Sequence, residues 1–253
     1  MNRSVRTAVC LAAIGSALAL AGAAGGEAQE KVRAVILIGG HGFDRPAFDR
    51  FWGGLEGVET EVCKGEPYTA FDSIDAFKHD VVVMYNLSSG MTDAQKQNFL
   101  KLLGKGVGLV VWHHALANCQ DWPEFEKIAG AKFWLKAGQR EGGAQVPQSG
   151  VAFGKAKMHI EDPKHSITEG MADFEIQDEM YNRQTFVEGI KVLVTTDEPK
   201  SDKTIAWAHA YGKARVFGCQ SGHDAKVWNH ESFRKLMSRG IRWAANRLPE
   251  AGK

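Results

Sequence analysis

The chain has 253 residues, a formal net charge of +1 and 44% hydrophobic residues, enough apolar side chain for one sizeable core. The near-neutral charge, without a tandem basic cluster or interleaved aromatics, excludes nucleic-acid binding by bulk electrostatics. Cys63, Cys119 and Cys219 are the only cysteines beyond the N-terminal segment, so at least one is unpaired within the chain and no disulfide framework supports the fold.

The N-terminal segment has the order of a secretory signal peptide. Arg3 and Arg6 precede the apolar run Cys10 to Ala21, and small residues follow at Ala21-Gly22-Ala23 and Glu27-Ala28-Gln29. The run is too short for a comfortable membrane span, and Cys10 lies inside it rather than at a lipid-attachment point. The expectation is a leader over residues 1–28, then a single domain over 29–250. The protein would be exported, periplasmic or extracellular, with no membrane association after cleavage.

Val32 to Ile38 is an apolar run ending in Gly39-Gly40 and predicts a buried strand. Phe48, Phe51, Trp52 and Leu55 recur at helical spacing over Pro46 to Leu55, with Asp44 placed to cap. Val58 to Cys63 alternates as a second strand. Asp80 to Asn86 is another buried strand. Thr92 can cap a helix from Asp93 to Leu103 that turns Phe99, Leu102 and Leu103 inward and ends at Gly104 and Gly106. Val107 to Trp112 is a buried strand running into His113-His114. Trp122 to Ala129 reads as helix, with Pro123 in a tolerated first-turn position. Gln139 to Gly150, rich in Gly and Gln, reads as a loop over the site.

The second half is richer in strand: Val151 to Ile160, Lys191 to Thr196, Thr204 to His209 and Arg215 to Gln220. Glu231 to Arg247 closes the domain as a helix with Phe233, Leu236, Met237, Ile241, Trp243 and Ala244 on one face. Ala251 to Lys253 should fray. Strand–helix alternation of this kind predicts an α/β fold, a mostly parallel sheet covered on both faces.

In such sheets ligands bind beyond the carboxyl ends of the strands. Three strand ends deliver histidine there: His41 in Gly39-Gly40-His41-Gly42-Phe43-Asp44, the pair His113-His114, and His223 in Gln220-Ser221-Gly222-His223-Asp224. The first turn lacks G-x-G-x-x-G spacing and the Lys of a phosphate loop, so it is not a nucleotide site. A lone histidine after a strand is most often a capping residue, but three arriving together point to metal or catalytic use. Neighbouring residues on a strand face opposite ways, so one of His113 and His114 should face the site. Asp178-Glu179-Met180-Tyr181 reads either as a solvated turn or as a carboxylate that ligates metal or moves a proton.

Imidazoles with a carboxylate suit a divalent ion, Zn²⁺ or Mn²⁺. Trp112 and Trp228 are the indoles near the histidines that could stack on a sugar ring. His159 and His165 read as structural, and His79, His209 and His230 as surface or edge residues. The turn after the central strand carries His113-His114, not G-x-C-x-G or G-x-S-x-G, and neither Cys119 nor Cys219 has the elbow context of a nucleophile.

These blocks resemble the trehalose-utilisation (ThuA-like) family. The resemblance rests on Gly39 to Asp44, on Gly108-Leu109-Val110-Val111-Trp112-His113-His114-Ala115-Leu116-Ala117, and on Asp121-Trp122-Pro123-Glu124-Phe125. It continues through His165-Ser166-Ile167-Thr168-Glu169-Gly170, Asp178 to Tyr181, Ala206-Trp207 ahead of Tyr211 to Val216, and Gly222-His223-Asp224. It implies a flavodoxin-like, class I glutamine-amidotransferase-like three-layer sandwich in which histidine replaces the amidotransferase cysteine. It implies a role in the catabolism of sugars oxidised at C3 of a glucosyl unit, and a divalent metal.

On that footing the expected function is metal-assisted cleavage, by a lyase or hydrolase, of a keto-sugar glycoside, with a small-molecule sugar as partner. His41, His114 and His223 are assigned to metal, and Glu179 to metal or to the base role. His113 is assigned to orienting a ligand, and Tyr181 to hydrogen-bonding the sugar. The alternative is a non-catalytic sugar-binding or interaction module of the cell envelope. Two positions depart from the family pattern: Gln148-Ser149-Gly150 stands where relatives carry a His-Asp pair, and Ser166 where they carry Pro.

Overall fold

The structure is a computed structural model that describes residues 30–63, 66–88 and 90–248. The leader expected over residues 1–28 and the tail at Ala251 to Lys253 lie outside the described residues.

Nine strands form one mixed sheet: β1 (Val32–Gly39), β2 (Val58–Val62), β3 (Val81–Asn86), β4 (Gly108–Trp112), β5 (Gly150–Ile160), β6 (Phe174–Asn182), β7 (Lys191–Thr196), β8 (Thr204–Tyr211) and β9 (Ala214–Cys219). Their order across the sheet is β2-β1-β3-β4-β9-β8-β7-β5-β6. The first five in that order are parallel. The remaining pairings are antiparallel.

Alternation within the parallel strands supplies two cores at once. Ala34, Ile36, Val81, Val83, Tyr85, Val110 and Trp112 face one layer. There they meet helices α1 (Arg45–Gly53) and α5 (Glu231–Ala244) and the short α4 (Ala225–Trp228). Val35, Leu37, Val82, Met84, Leu109 and Val111 face the other. That layer is closed by α2 (Asp93–Lys105) and α3 (Pro123–Ala129). The result is a three-layer α/β sandwich, with the parallel part of the sheet covered by helices on both faces. Each large side chain so buried contributes roughly 1.5–3 kcal/mol before chain entropy is set against it. Phe233, Leu236, Met237 and Ile241 of α5 are all buried.

The helix ends follow local chemistry. The Asp44 carboxylate accepts from Ala47 N at 3.0 Å. Thr92 and Gln95 form a reciprocal capping box at the start of α2. Gly106, in the left-handed region, ends α2, while Gly104 lies within its last turn. α5 stops at Ala244, three residues before the expected end.

Three expectations are corrected by the fold. Asp178 to Tyr181 is not a turn but the interior of β6, paired with β5 without a break from Gly150↔Asn182 to Met158↔Phe174. Gln139 to Gly150 is not a plain loop. Gly138–Gln139 and Gln145–Val146 pair as a small ribbon. Arg140 ties that ribbon to Glu126 of α3 and to the Phe186 carbonyl. Trp112 and Trp228 are fully buried, so neither offers a face to a ligand.

Candidate metal centre

The β5–β6 hairpin stands at the far edge of the sheet in hydrogen-bond order, yet its residues reach the carboxyl ends of β4 and β9. The Gln220 side-chain oxygen accepts from Tyr181 N at 3.1 Å, and the Asp178 carboxylate accepts from Gly222 N at 2.7 Å and His223 N at 3.0 Å. The hairpin therefore closes over the ends of the parallel strands, where the histidines emerge.

Each histidine comes off a turn of unusual backbone. Gly40 precedes His41 at φ 71°, and a Cβ there would stand 1.6 Å from the Leu87 carbonyl oxygen, so only glycine fits. His113 itself lies at φ 55° and begins a 3₁₀ turn from His113 to Ala117. A non-glycine residue held there is costly and marks a constrained site. This also explains why strand alternation misjudges the pair: the chain has left strand geometry at His113, and both rings end up beside His41 or His223.

Gly222, at φ 132°, precedes His223, and a Cβ there would meet Trp112 Nε1 at 2.0 Å. Around this turn Trp112 donates to the Ser221 carbonyl at 2.8 Å, and Trp228 and Tyr85 donate to that of Gly222 at 2.9 Å and 3.1 Å. With Asp178 on the amide side, the backbone carrying His223 is held from both sides.

Three ligand atoms converge. His113 Nε2 lies 3.2 Å from Glu179 Oε2, His223 Nδ1 lies 2.8 Å from the same oxygen, and the two nitrogens are 3.3 Å apart. The other nitrogen of His113, Nδ1, sits 2.7 Å from the Gln220 carbonyl. A carbonyl can only accept, so Nδ1 carries a proton there and Nε2 is the ring nitrogen turned toward the group. A ring nitrogen tied back to a carbonyl is also how metal-bound histidines are oriented. Tyr181 stacks on His113 at 4.9 Å and brings its hydroxyl to 3.1 Å from Nε2. That hydroxyl is spent on the histidine, and Tyr181 is itself buried.

The surrounding charges fit this picture. Burial pushes the Glu179 carboxyl up, but His113 and His223 outweigh it and the net direction is below the ordinary glutamate value. Burial raises Asp178, opposed by His113 and by the backbone N–H groups of His223 and Gly222. Burial, then His223 and His113, lower His41. His114, buried between the His41 and Tyr85 rings at 4.6 Å and 4.5 Å, is pushed down to about 2 and is neutral.

Of the metal set expected from sequence, His223 and Glu179 are in the converging group, together with His113. His41 and His114 stand beside it as a stacked pair. Both nitrogens of His114 and Nδ1 of His41 are buried without a hydrogen-bond partner. Buried polar atoms left unpaired are uncommon and call for a ligand or ion nearby. His113 Nε2, His223 Nδ1 and Glu179 Oε2, this close together, call for a proton or a cation between them. The donor set, two imidazoles and one carboxylate with orphaned nitrogens adjacent, thus fits a divalent ion.

Residues outside the group take other roles. Gln148 and Ser149, at the departure from the family pattern, tie the start of β5 to Arg183 and Trp134. His159 bridges Asp173 and Asp197 at the surface, and His165 Nδ1 accepts from Ile167 N within its own turn. Two site residues have roles that the sequence does not specify. Asp178, one of the candidate carboxylates, binds backbone N–H groups instead, and its place at an otherwise apolar inward position is the available signal. Phe153, whose ring meets His223 at 5.3 Å, gave none.

The family model for ThuA, described as trehalose utilisation, matches residues 44–244, most of the chain. No curated protein matches the sequence. Among solved structures, the chain is similar to a ThuA-like protein of Parabacteroides merdae at 18% identity and TM-score 0.72, covering 88% of this chain and 92% of the other. A second ThuA-like protein, of Bacteroides uniformis, aligns at 17% identity and TM-score 0.65 over 86% and 93%. A cytoplasmic protein of Salmonella typhimurium LT2 aligns at 12% identity and TM-score 0.55 over 84% and 99%. Identities this low speak to the fold alone.

Proposed function

The chain belongs to the ThuA family, and from that premise we propose that it is a metal-assisted enzyme of sugar utilisation that cleaves a keto-sugar glycoside. The observation that carries the reading is the approach of His113, Glu179 and His223 ligand atoms to within 4.8 Å of one another. Those three residues would hold the ion. A bound Zn²⁺ or Mn²⁺ would supply Lewis acidity toward a keto oxygen.

The protein's own residues supply the rest. A carbonyl at C3 of a glucosyl unit acidifies the proton at C2. The Glu179 oxygen not turned to the histidines, on a carboxyl that His113 and His223 hold below the ordinary glutamate value, takes that proton. The C–H electron pair forms the C1–C2 double bond, the C1–O bond breaks, and the departing oxygen recovers a proton from Glu179. The Gln220 carbonyl holds the His113 ring in its tautomer throughout, and Tyr181 stacks on that ring. Residues 1–28 are proposed as an export leader, placing this chemistry outside the cytoplasm.

Metal analysis of the purified protein tests the reading. We expect about one equivalent of divalent ion, with His113→Ala and His223→Ala each weakening zinc binding at least about 100-fold. No bound metal, together with keto-glycoside turnover indifferent to every added divalent ion, overturns it. A second reading rests on the same distances. Contacts of 2.8 Å and 3.2 Å are hydrogen-bond lengths, so protons alone can bind Glu179 to the imidazoles in a non-catalytic sugar-binding module. In that case Glu179→Ala leaves sugar binding intact and no product ever forms.

A further inference from the structure

The group contains no apolar surface for a sugar ring, and the two tryptophans near it are buried. One aromatic side chain nevertheless stands beside it, against the His223 ring. Phe153 is 64% exposed, the most exposed large hydrophobic side chain among the described residues. Its place is fixed by the β5–β6 ladder, in which it pairs directly with Glu179. Directly opposed residues of an antiparallel pair project to the same face, so the phenyl ring stands beside the carboxylate. Its plane is nearly perpendicular to that of His223, at 84°.

Scattered exposed apolar residues need no explanation. Here the register makes a pattern. Val151, the next most exposed at 51%, pairs directly with Tyr181. Both therefore flank residues of the site, on one rigid strand. Small-molecule sites combine apolar and aromatic walls with a few converging polar groups that fix orientation. A pyranose with equatorial hydroxyls matches that combination: its axial C–H bonds make an apolar face, and its hydroxyls and any keto group point outward from the ring edge. A ring laid on Phe153 would direct that polar edge toward Glu179 and His223.

We infer that Phe153 is a stacking platform for the apolar face of a glucosyl ring, a specificity-determining residue of the metal centre. The inference rests on the proposed function and adds to it the orientation and class of the sugar. The test is calorimetric titration of the zinc-loaded wild-type protein, Phe153→Ala, Phe153→Leu and Phe153→Trp with trehalose and with methyl α-glucoside. Zinc affinity and sedimentation of each variant are measured alongside.

Phe153→Ala and Phe153→Leu are expected to weaken sugar binding at least tenfold. Phe153→Trp should restore it to within threefold, with zinc affinity unchanged in all three. In turnover of a keto-glucoside the loss should appear in KM rather than kcat. Wild-type binding of sugar that Phe153→Ala retains overturns the platform and leaves the proposed function standing. Loss equal in the alanine and tryptophan variants, or a change confined to sedimentation, also overturns it, in favour of a packing or self-association role. A wild-type protein that binds zinc but no glucoside overturns the sugar reading and the platform with it.

Discussion

Replacing Asp178 by Asn tests whether this buried carboxylate holds His223 in place. Its two oxygens accept separately from Gly222 N at 2.7 Å and His223 N at 3.0 Å, in a fully enclosed position. A hydrogen bond to a charged partner is worth about 1.5–3 kcal/mol, and a buried donor left unpaired costs about 1–3 kcal/mol. Asparagine has the same shape but only one acceptor, and its amide nitrogen must face one of the two backbone donors. One bond is lost outright and the other loses its charge, while the burial penalty of the carboxylate is relieved. The net expectation is about 3 kcal/mol of destabilisation.

Urea unfolding should show this as a lower midpoint with an unchanged slope. Zinc affinity should fall roughly 10- to 100-fold, because the backbone bearing one ligand is released. A variant within about 0.5 kcal/mol of wild type, with unaltered zinc affinity, would refute the claim that Asp178 positions His223.

Gly222→Ala drives a Cβ against the buried Trp112 ring at a backbone angle of 132°. It should cost about 3 kcal/mol, a fall in Tm of roughly 6–12 °C. Gly212→Ala, also at positive φ but with open space around it, should cost only about 1 kcal/mol, and equal effects at the two positions would contradict the steric argument. Asp173 is held below the ordinary aspartate value of 3.8 by the Ile160 N–H and by His159. Because its folded-state pKa is depressed, its contribution is present above pH 3.8 and lost as pH falls through the folded value. The stability gap between wild type and Asp173→Asn, measured by urea unfolding, should therefore narrow as pH falls below 3.8, and a gap that stays constant down to pH 2 contradicts it.

Local signals carried most of the fold. The caps at Asp44 and Thr92, the apolar strands and the inward faces of α2 and α5 all depend on residues a few positions apart. The gathering of His41, His113 and His223 was legible too, because strand ends of a parallel sheet share one edge. Which nitrogen meets which oxygen was not. That depends on the left-handed backbone at His113 and on a distant hairpin folding back over the strand ends. β6 was disguised because Asp178 occupies an inward position among Phe174, Ile176 and Met180, which breaks the expected alternation. Trp112 and Trp228 were near the histidines in sequence, but sequence proximity says nothing about exposure. Phe153 acquires meaning only through its partner across the ladder.

Asp178 and Glu179 are consecutive on β6 and point to opposite faces of it, one to the backbone before His223 and the other to its ring. A slip of one residue in the β5–β6 pairing would exchange the two faces, sending the Glu179 carboxylate into the core and the anchoring one to solvent. The hairpin is thus a parity constraint on the gene. Single insertions or deletions within Gly150–Ile160 or Phe174–Asn182 destroy the centre, whereas changes of two residues, placed at the turn end, preserve it. Length variation among proteins that keep this centre should accordingly collect in the segment between Glu161 and Asp173, outside the ladder.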